Sequence, residues 1–119
     1  MNWFLDVVKN KYAKFDGRAG RPEFWFFALF YFLIAIVVGL IEAVIGISPL
    51  LFLLLSLAFL LPSLAVTVRR FHDQDRSGWF VLLGFIPFVG GIILIIFMVL
   101  PGTPGDNRFG PPAPTSPGA

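Results

Sequence analysis

The sequence predicts an all-α membrane protein with three transmembrane helices, a short amphipathic helix before them and a disordered tail rich in Pro and Gly after them. Hydrophobic residues make up 57% of the 119-residue chain and charged residues only 13%, whereas soluble domains average about 45–50% and about 25%. The apolar residues are also gathered into three long stretches. Because a small domain buries the least of its surface, part of this apolar surface should face lipid.

The three stretches run over about 23–45, 49–68 and 79–100. Each is long enough to cross a hydrocarbon core of about 30 Å as a helix. A helix is expected because backbone amides find no water partner at that depth. No small-residue cleavage site follows the first stretch, so it is not interpreted as a signal peptide.

Local signals mark the ends of these helices. Pro22 and Glu23 fit the first turn of the first helix, and Gly46 fits its end. Ser48-Pro49 repeats the starting signal for the second helix, and Ser77 is a candidate N-cap for the third.

The third stretch also allows a different path. "GFIPFVGG" places Gly84, Pro87, Gly90 and Gly91 at its centre, where a broken helix could return to its starting side as a re-entrant hairpin. Its length favours a continuous but kinked span.

Basic residues predict the orientation. All 9 Lys and Arg residues except Arg108 precede the first stretch or lie in the connection 69–78. The positive-inside rule therefore predicts a cytoplasmic N-terminus and a C-terminus outside. A re-entrant third stretch would instead place all of them inside.

The segment before the first span predicts an amphipathic helix over about 2–15 that lies on the bilayer surface. Its predicted apolar face consists of Phe4, Leu5, Val8, Tyr12 and Phe15, and its polar face of Asp6, Lys9, Asn10 and Lys14. An alternative is that it packs on the other cytoplasmic segments. We predict a single membrane domain over 1–111, turn-rich over 101–111, and a disordered tail over 112–119.

Two polar segments, "FDGRAGRPEFW" at 15–25 and "RRFHDQDRSGW" at 69–79, should meet on the cytoplasmic side. We expect Glu23 and Asp16 to pair with Arg69 or Arg70. The predicted polar layer, which would bind anionic phospholipids or an unidentified membrane protein partner, consists of Arg18, Arg21, Glu23, Arg69, Arg70, His72, Asp73, Asp75 and Arg76. The predicted interface anchors are Trp3, Trp25 and Trp79.

The polar layer also suggests chemistry. His72, Asp73 and Asp75 are metal-ligand and acid–base residue types. However, no second ligand set follows, three nearby Arg residues can neutralise both Asp side chains, and Cys is absent. We therefore predict no catalytic residue, no metal site, no cofactor and no nucleic-acid partner. A non-enzymatic module, as a homo-oligomer or an accessory subunit, is the leading hypothesis. The alternatives are an interfacial enzyme acting on a lipid or prenyl-phosphate, and a small oligomeric transporter.

Three motifs in order, "GRAGRPEFW", "RRFHDQDRSGW" and "GTPGDNRFGP", resemble the family described as domain of unknown function 805, the YhaH-like small bacterial inner-membrane proteins. The resemblance extends from Trp3 to Pro111, with Phe80 at a position where many members have Trp. It implies residence in a bacterial inner membrane and a three-span layout, but no activity. The matching signature residues are Gly17, Arg18, Arg21, Glu23, Trp25, Arg69, Arg70, His72, Asp73, Ser77, Gly78, Trp79, Gly102, Gly105, Asn107, Arg108 and Gly110.

Overall fold

The computed structural model describes residues 2–46 and 50–114. Ser48 and Pro49, predicted to begin the second helix, lie outside these residues, as does the predicted disorder of 115–119. The described residues form helices and turns, with an isolated β-bridge between Asn107 and Gly110. The helical elements are α1 (Asn2–Asn10), α2 (Arg21–Ile45), α3 (Leu50–Asp73), a 3₁₀ helix (Gly78–Phe85) and α4 (Gly90–Val99).

Helices α2 and α3 form an antiparallel pair, and both are long and apolar enough to cross a membrane. Pro22 and Glu23 lie in the first turn of α2, as predicted, and Gly46 ends the helix with φ of 80°. Glycine suits this left-handed conformation because it has no Cβ atom. Helix α3 extends to Asp73, so the predicted connection 69–78 begins with helix rather than loop.

The outer surface of this pair is apolar. Val44 is 86% exposed, Leu57 67% and Phe32 63%. A soluble protein rarely exposes so continuous an apolar surface. Lipid is its natural environment, in agreement with the composition.

Helix α1 packs against α2 and α3. The ring of Phe4 lies 5.7 Å from that of Phe27 and 5.8 Å from that of Phe59, and Val7 is completely buried. The helix ends at Asn10, five residues before the predicted end. Asp6 was assigned to the polar face, but it is buried and pairs with Lys11.

The third apolar stretch folds back on itself, so the continuous helix predicted over 79–100 is wrong. The 3₁₀ helix runs to Phe85, a turn follows, and α4 returns antiparallel to it. Glycine permits the close approach, since a Cβ atom at Gly90 would collide with the carbonyl oxygen of Gly84. Phe88 lies in the turn and is completely exposed. This is the re-entrant shape that the central Gly and Pro residues allowed.

Both ends of this hairpin lie beside the end of α3. Ser77 caps the 3₁₀ helix by accepting a bond from the Trp79 amide at 3.3 Å. Arg70 binds the carbonyl oxygens of Met98 and Leu100 at the end of α4. The chain therefore returns to the end of the helix pair at which α2 begins.

The described part of the predicted disordered tail also packs on this end. Pro112 and Pro114 line cavities there. A Cβ atom at Gly20 would lie 3.5 Å from that of Ala113. Residues 112–114 are therefore held against the start of α2.

Candidate functional site

Three segments meet at one end of the helix pair, and we call them the polar cap: residues 11–23, 69–76 and 101–114. Most of the predicted polar layer lies in the buried part of this cap. Its buried charged and titratable side chains are Lys11, Arg18, Glu23, Arg69, Arg70, His72 and Asp73, and Asp6 of α1 adjoins them.

Glu23 is the first anchor of the cap. Its side chain is completely buried, and its Oε2 forms an ion pair with Nη1 of Arg69. This contact confirms the predicted pair between the two residues. Arg69 also donates its Nε to the carbonyl oxygen of Lys14 at 2.9 Å. Lys11 lies 3.6 Å from the second carboxylate oxygen of Glu23 and 3.0 Å from Asp6. Asp16, the other predicted acid, is exposed and makes no ion pair within the described segments.

Asp73 is the second anchor. Its Oδ1 accepts from Nε of Arg18 at 2.9 Å and forms an ion pair with Nη2 of the same side chain at 2.9 Å. Its Oδ2 accepts from Nη1 of Arg70 at 2.8 Å. The helical extension of α3 makes this possible, because residues three apart lie on the same helix face. Both oxygens of Asp73 are therefore engaged by arginine side chains.

Arginines also attach the returning chain to the cap. The last carbonyl groups of a helix lack partners within the helix, and Arg70 supplies donors to those at the end of α4. Arg18 donates to the carbonyl oxygens of Thr103 at 2.5 Å and Gly105 at 2.6 Å. The amide of Thr103 donates to the carbonyl oxygen of Asp73 at 2.6 Å. Each arginine thus joins a carboxylate to backbone from a distant segment.

His72 is enclosed by backbone and an aromatic ring. Its Nδ1 lies 3.0 Å from the carbonyl oxygen of Gly17, and its ring stacks on Phe109 with centroids 3.9 Å apart. Asn107 donates its side-chain amide to the carbonyl oxygen of His72 at 2.9 Å. These contacts give His72 a role in holding residues 107–110 in place. Within the described segments, no three His, Asp or Glu side chains converge as a metal site would require.

The remaining predicted residues lie at the rim. Arg21 is exposed and reaches the carbonyl oxygen of Val99 at 3.5 Å. Asp75 forms an exposed pair with Arg108 at 3.2 Å. The guanidinium of Arg76 lies over the ring of Phe97, 4.8 Å from its centroid. They surround the buried cluster without entering it.

The three tryptophans occupy different environments. Trp79 is 74% exposed, and Trp25 is 36% exposed while donating its Nε1 to the carbonyl oxygen of Met98 at 3.2 Å. Trp3 is only 8% exposed. Helix α1 packs this ring against the protein, and its role as an interface anchor stays a prediction.

The sequence interpretation missed several contributors to the cap. The sequence marks Lys11 only as a basic residue. Its pair with Asp6 depends on the turn that ends α1, in which the amide of Lys11 donates to the carbonyl oxygen of Asp6 at 3.1 Å. The carbonyl groups of 103–110 left no signal, since every residue carries one. Phe109 left none because an aromatic residue in a turn has many possible partners.

A cavity lined by four cationic side chains opens inside the cap. Its volume is about 360 Å³. The segment between α1 and α2, the end of α3 and the tail all contribute to its wall. The lining residues are Lys11, Lys14, Gly17, Arg18, Arg69, Phe109, Pro111, Pro112 and Pro114.

Comparisons with known proteins identify relatives over nearly the whole chain. The family model described as "Protein of unknown function (DUF805)" matches residues 12–111. Inner membrane protein YhaH of Escherichia coli (strain K12) is 43% identical over 93% of this chain and 95% of its own length. Inner membrane protein YhaI of the same strain is 44% identical over 92% and 93%, and the uncharacterized protein YiiR is 31% identical over 87% and 88%. No solved structure matches the chain.

Proposed function

The chain belongs to the DUF805 family, and we propose that it is a two-span inner membrane protein whose polar cap binds anionic lipid headgroups at the cytoplasmic surface. Relatives named inner membrane proteins support its location. The observation that carries the binding role is an imbalance of buried charge in the cap. Four buried cations face three buried carboxylates there, namely Lys11, Arg18, Arg69 and Arg70 against Asp6, Glu23 and Asp73.

Helix lengths support two spans and a re-entrant hairpin. The 25 residues of α2 make a helix of about 38 Å, which exceeds a core of about 30 Å. The 10 residues of α4 make only about 15 Å, so the hairpin reaches about half that depth. Its exposed apolar turn suits the interior of one leaflet. The hairpin then returns to the cap instead of crossing.

The distribution of basic residues supports a position of the cap on the cytoplasmic side of the membrane. All 9 Lys and Arg residues lie on α1 or in the cap, and Glu42 is the only charged side chain described at the opposite end of the helix pair. The positive-inside rule then assigns the cap, and both ends of the chain, to the cytoplasm.

Binding is better supported than catalysis. His72 and Asp73, the acid–base pair of the enzymatic alternative, are committed to backbone and to two arginines. An excess of buried positive charge is costly unless an opposite charge compensates for it. The inner leaflet carries anionic lipids in the required position. A headgroup would thus complete the cap.

Two experiments test this proposal. A reporter that is active only outside the cytoplasm should be inactive when fused after Gly110 and active when inserted between Gly46 and Leu50. The full chain, purified in mild detergent, should retain anionic phospholipid in a proportion above that of the source membrane, and less of it as salt screens the charges. Retained lipid with the composition of the membrane would contradict the binding role. An active reporter after Gly110 would contradict the topology.

A further inference from the structure

The cavity in the polar cap has the lining of an anion site. Four cationic side chains, those of Lys11, Lys14, Arg18 and Arg69, contribute to its wall. No carboxylate lies among its lining residues. Cations from two separate chain segments, 11–23 and 69–76, therefore converge on one volume whose wall carries no acid.

The partners of these cations leave positive charge unmatched. Lys11 pairs with Asp6 and shares Glu23 with Arg69. Arg18 and Arg70 share the single carboxylate of Asp73, which leaves one positive charge more than these acids match. The Arg69 side chain is 1% exposed, and within the described residues its Nη2 is buried without a hydrogen-bond partner. The carboxylate oxygens Oε1 of Glu23 and Oδ2 of Asp6 also lack a hydrogen bond, but they lie 3.6 Å and 3.0 Å from the Lys11 ammonium. Buried donors in folded proteins are nearly always satisfied. The Nη2 donor of Arg69 therefore remains to be satisfied.

Lys14 completes the cavity from its exposed edge. Its ammonium group lies 4.0 Å from the position that a Cβ atom at Gly17 would occupy. Gly17 has φ of 88°, a left-handed conformation that favours glycine. The Lys14 ammonium therefore lies beside a residue that has no side chain. Lys14 makes no ion pair within the described segments, and its charge remains available.

We infer that this cavity binds a phosphate monoester group. Such a group carries about 1.5 to 2 negative charges at neutral pH and three strong acceptor oxygens. It therefore suits several converging Lys and Arg donors better than a singly charged carboxylate does. The cavity, at about 360 Å³, is at the lower end of the range for small-molecule sites. This volume holds the phosphate and part of the group that carries it. The inference rests on the proposed cytoplasmic binding role and narrows the chemistry of the ligand.

The experiment uses the full chain with two phosphate sources and a matched pair of variants. Thermal stability in detergent is measured against inorganic phosphate, with chloride at equal ionic strength as reference. Thermal stability in nanodiscs is measured with phosphatidic acid, a monoester, against phosphatidylglycerol, a diester. The test variant is Lys14→Gln, whose side chain makes no ion pair in the cap. The control is Lys9→Gln, an exposed lysine of α1 outside the cavity.

We expect phosphate or phosphatidic acid to raise the thermal transition of the parent and of Lys9→Gln. Lys14→Gln should need about tenfold more of the same ligand for the same rise in transition temperature. A factor of about ten in affinity is typical for the loss of one charge-assisted contact. Lys14→Arg should restore binding. A response to inorganic phosphate identifies a soluble ligand, and a response to phosphatidic acid alone identifies a lipid headgroup.

Two results would overturn the inference. One is an equal response of Lys14→Gln and Lys9→Gln to the effective ligand. The other is no preference for monoester over diester or chloride. If phosphatidylglycerol is retained in that second case, the cap still binds anionic lipid, and only the phosphate cavity is wrong. If no anionic lipid is retained either, the proposed function fails with it.

Discussion

The two ends of the α2–α3 pair use buried charge in different ways. At the end next to residues 46–50, the carboxylate of Glu42 accepts from the amides of Leu51 at 3.0 Å and Phe52 at 3.1 Å. The positive end of a helix dipole and its free amides favour such a carboxylate without any cation. At the other end, the polar cap gathers carboxylates and a larger number of cations.

This difference separates structural charge from charge that awaits a ligand. Glu42 has a local structural role, because it accepts hydrogen bonds from amides at the start of α3 that have no partner within the helix. The arginines of the polar cap likewise donate to backbone carbonyl groups at the end of α4 and in residues 103–110. However, Lys14 and one nitrogen of Arg69 are left over after these contacts are counted. A surplus at one end only is the physical reason for assigning binding to the polar cap.

The largest expected effect comes from breaking the buried pair of the polar cap. Glu23→Gln would leave Arg69 and Lys11 without their shared carboxylate, and removing one partner of a buried pair costs about 3–5 kcal/mol. Thermal unfolding in detergent measures the loss. Asp16→Asn removes the same charge from an exposed site and should change the transition little. Equal effects of the two substitutions would mean that the Glu23 pair does not stabilise the fold.

A smaller loss is expected where the tail passes Asp73. A Cβ atom at Gly102 would collide with the Asp73 carboxylate, whereas one at Gly91 meets nothing within 4 Å. Overpacking of this kind costs about 1–3 kcal/mol. Gly102→Ala should therefore lower the thermal transition and loosen the tail, measured by limited proteolysis, while Gly91→Ala should do neither. If Gly102→Ala changes neither the thermal transition nor the rate of proteolysis, the tail does not pack on Asp73.

Arg70→Lys tests whether the geometry of the polar cap matters beyond its sign. Lysine keeps the positive charge but loses the planar fork that joins Asp73 to the end of α4. We expect a loss of about 1–2 kcal/mol, typical of hydrogen bonds to charged groups, with insertion and topology unchanged. Arg108→Lys, in an exposed pair, is the control. If Arg70→Lys unfolds at the same temperature as the parent protein, Arg70 serves only as a positive charge that orients the chain.

The smallest effect is expected at the opposite end. Glu42→Ala removes the acceptor of two amides at the start of α3 and should cost about 1 kcal/mol, as other helix-start substitutions do. Glu42→Gln keeps one acceptor oxygen and should cost less. Neither should change lipid retention, because Glu42 is distant from the polar cap. Altered retention in either variant would contradict the division of roles between the two ends.

The long helices were predictable, because a bilayer imposes a length and Pro22 and Gly46 mark the ends of α2. The fold-back of the third apolar stretch was signalled by Gly84, Pro87, Gly90 and Gly91, but length favoured a continuous helix. The deciding contact is the approach of Gly90 to the Gly84 carbonyl, which depends on tertiary packing and not on local pattern.

The polar cap was predictable only in part. Complementary charge indicated the pair of Glu23 with Arg69, because both are expected at the same membrane face. The extension of α3 through Asp73 was missed because polar residues after an apolar run resemble a loop. The backbone acceptors that bind Arg18 carry no side-chain signature, so the return of the tail was not foreseen.

The return of the tail to the start of α2 is the central claim, and disulfide formation tests it most directly. The chain has no Cys, so a Gly20→Cys, Ala113→Cys pair can be studied alone. The expected Cβ separation of 3.5 Å lies within disulfide geometry. In native membranes under mild oxidation, this pair should form an intramolecular disulfide, and a Val44→Cys, Ala113→Cys pair should not. No disulfide in the first pair, or one in the second, would contradict the claim and restore a third crossing of the membrane.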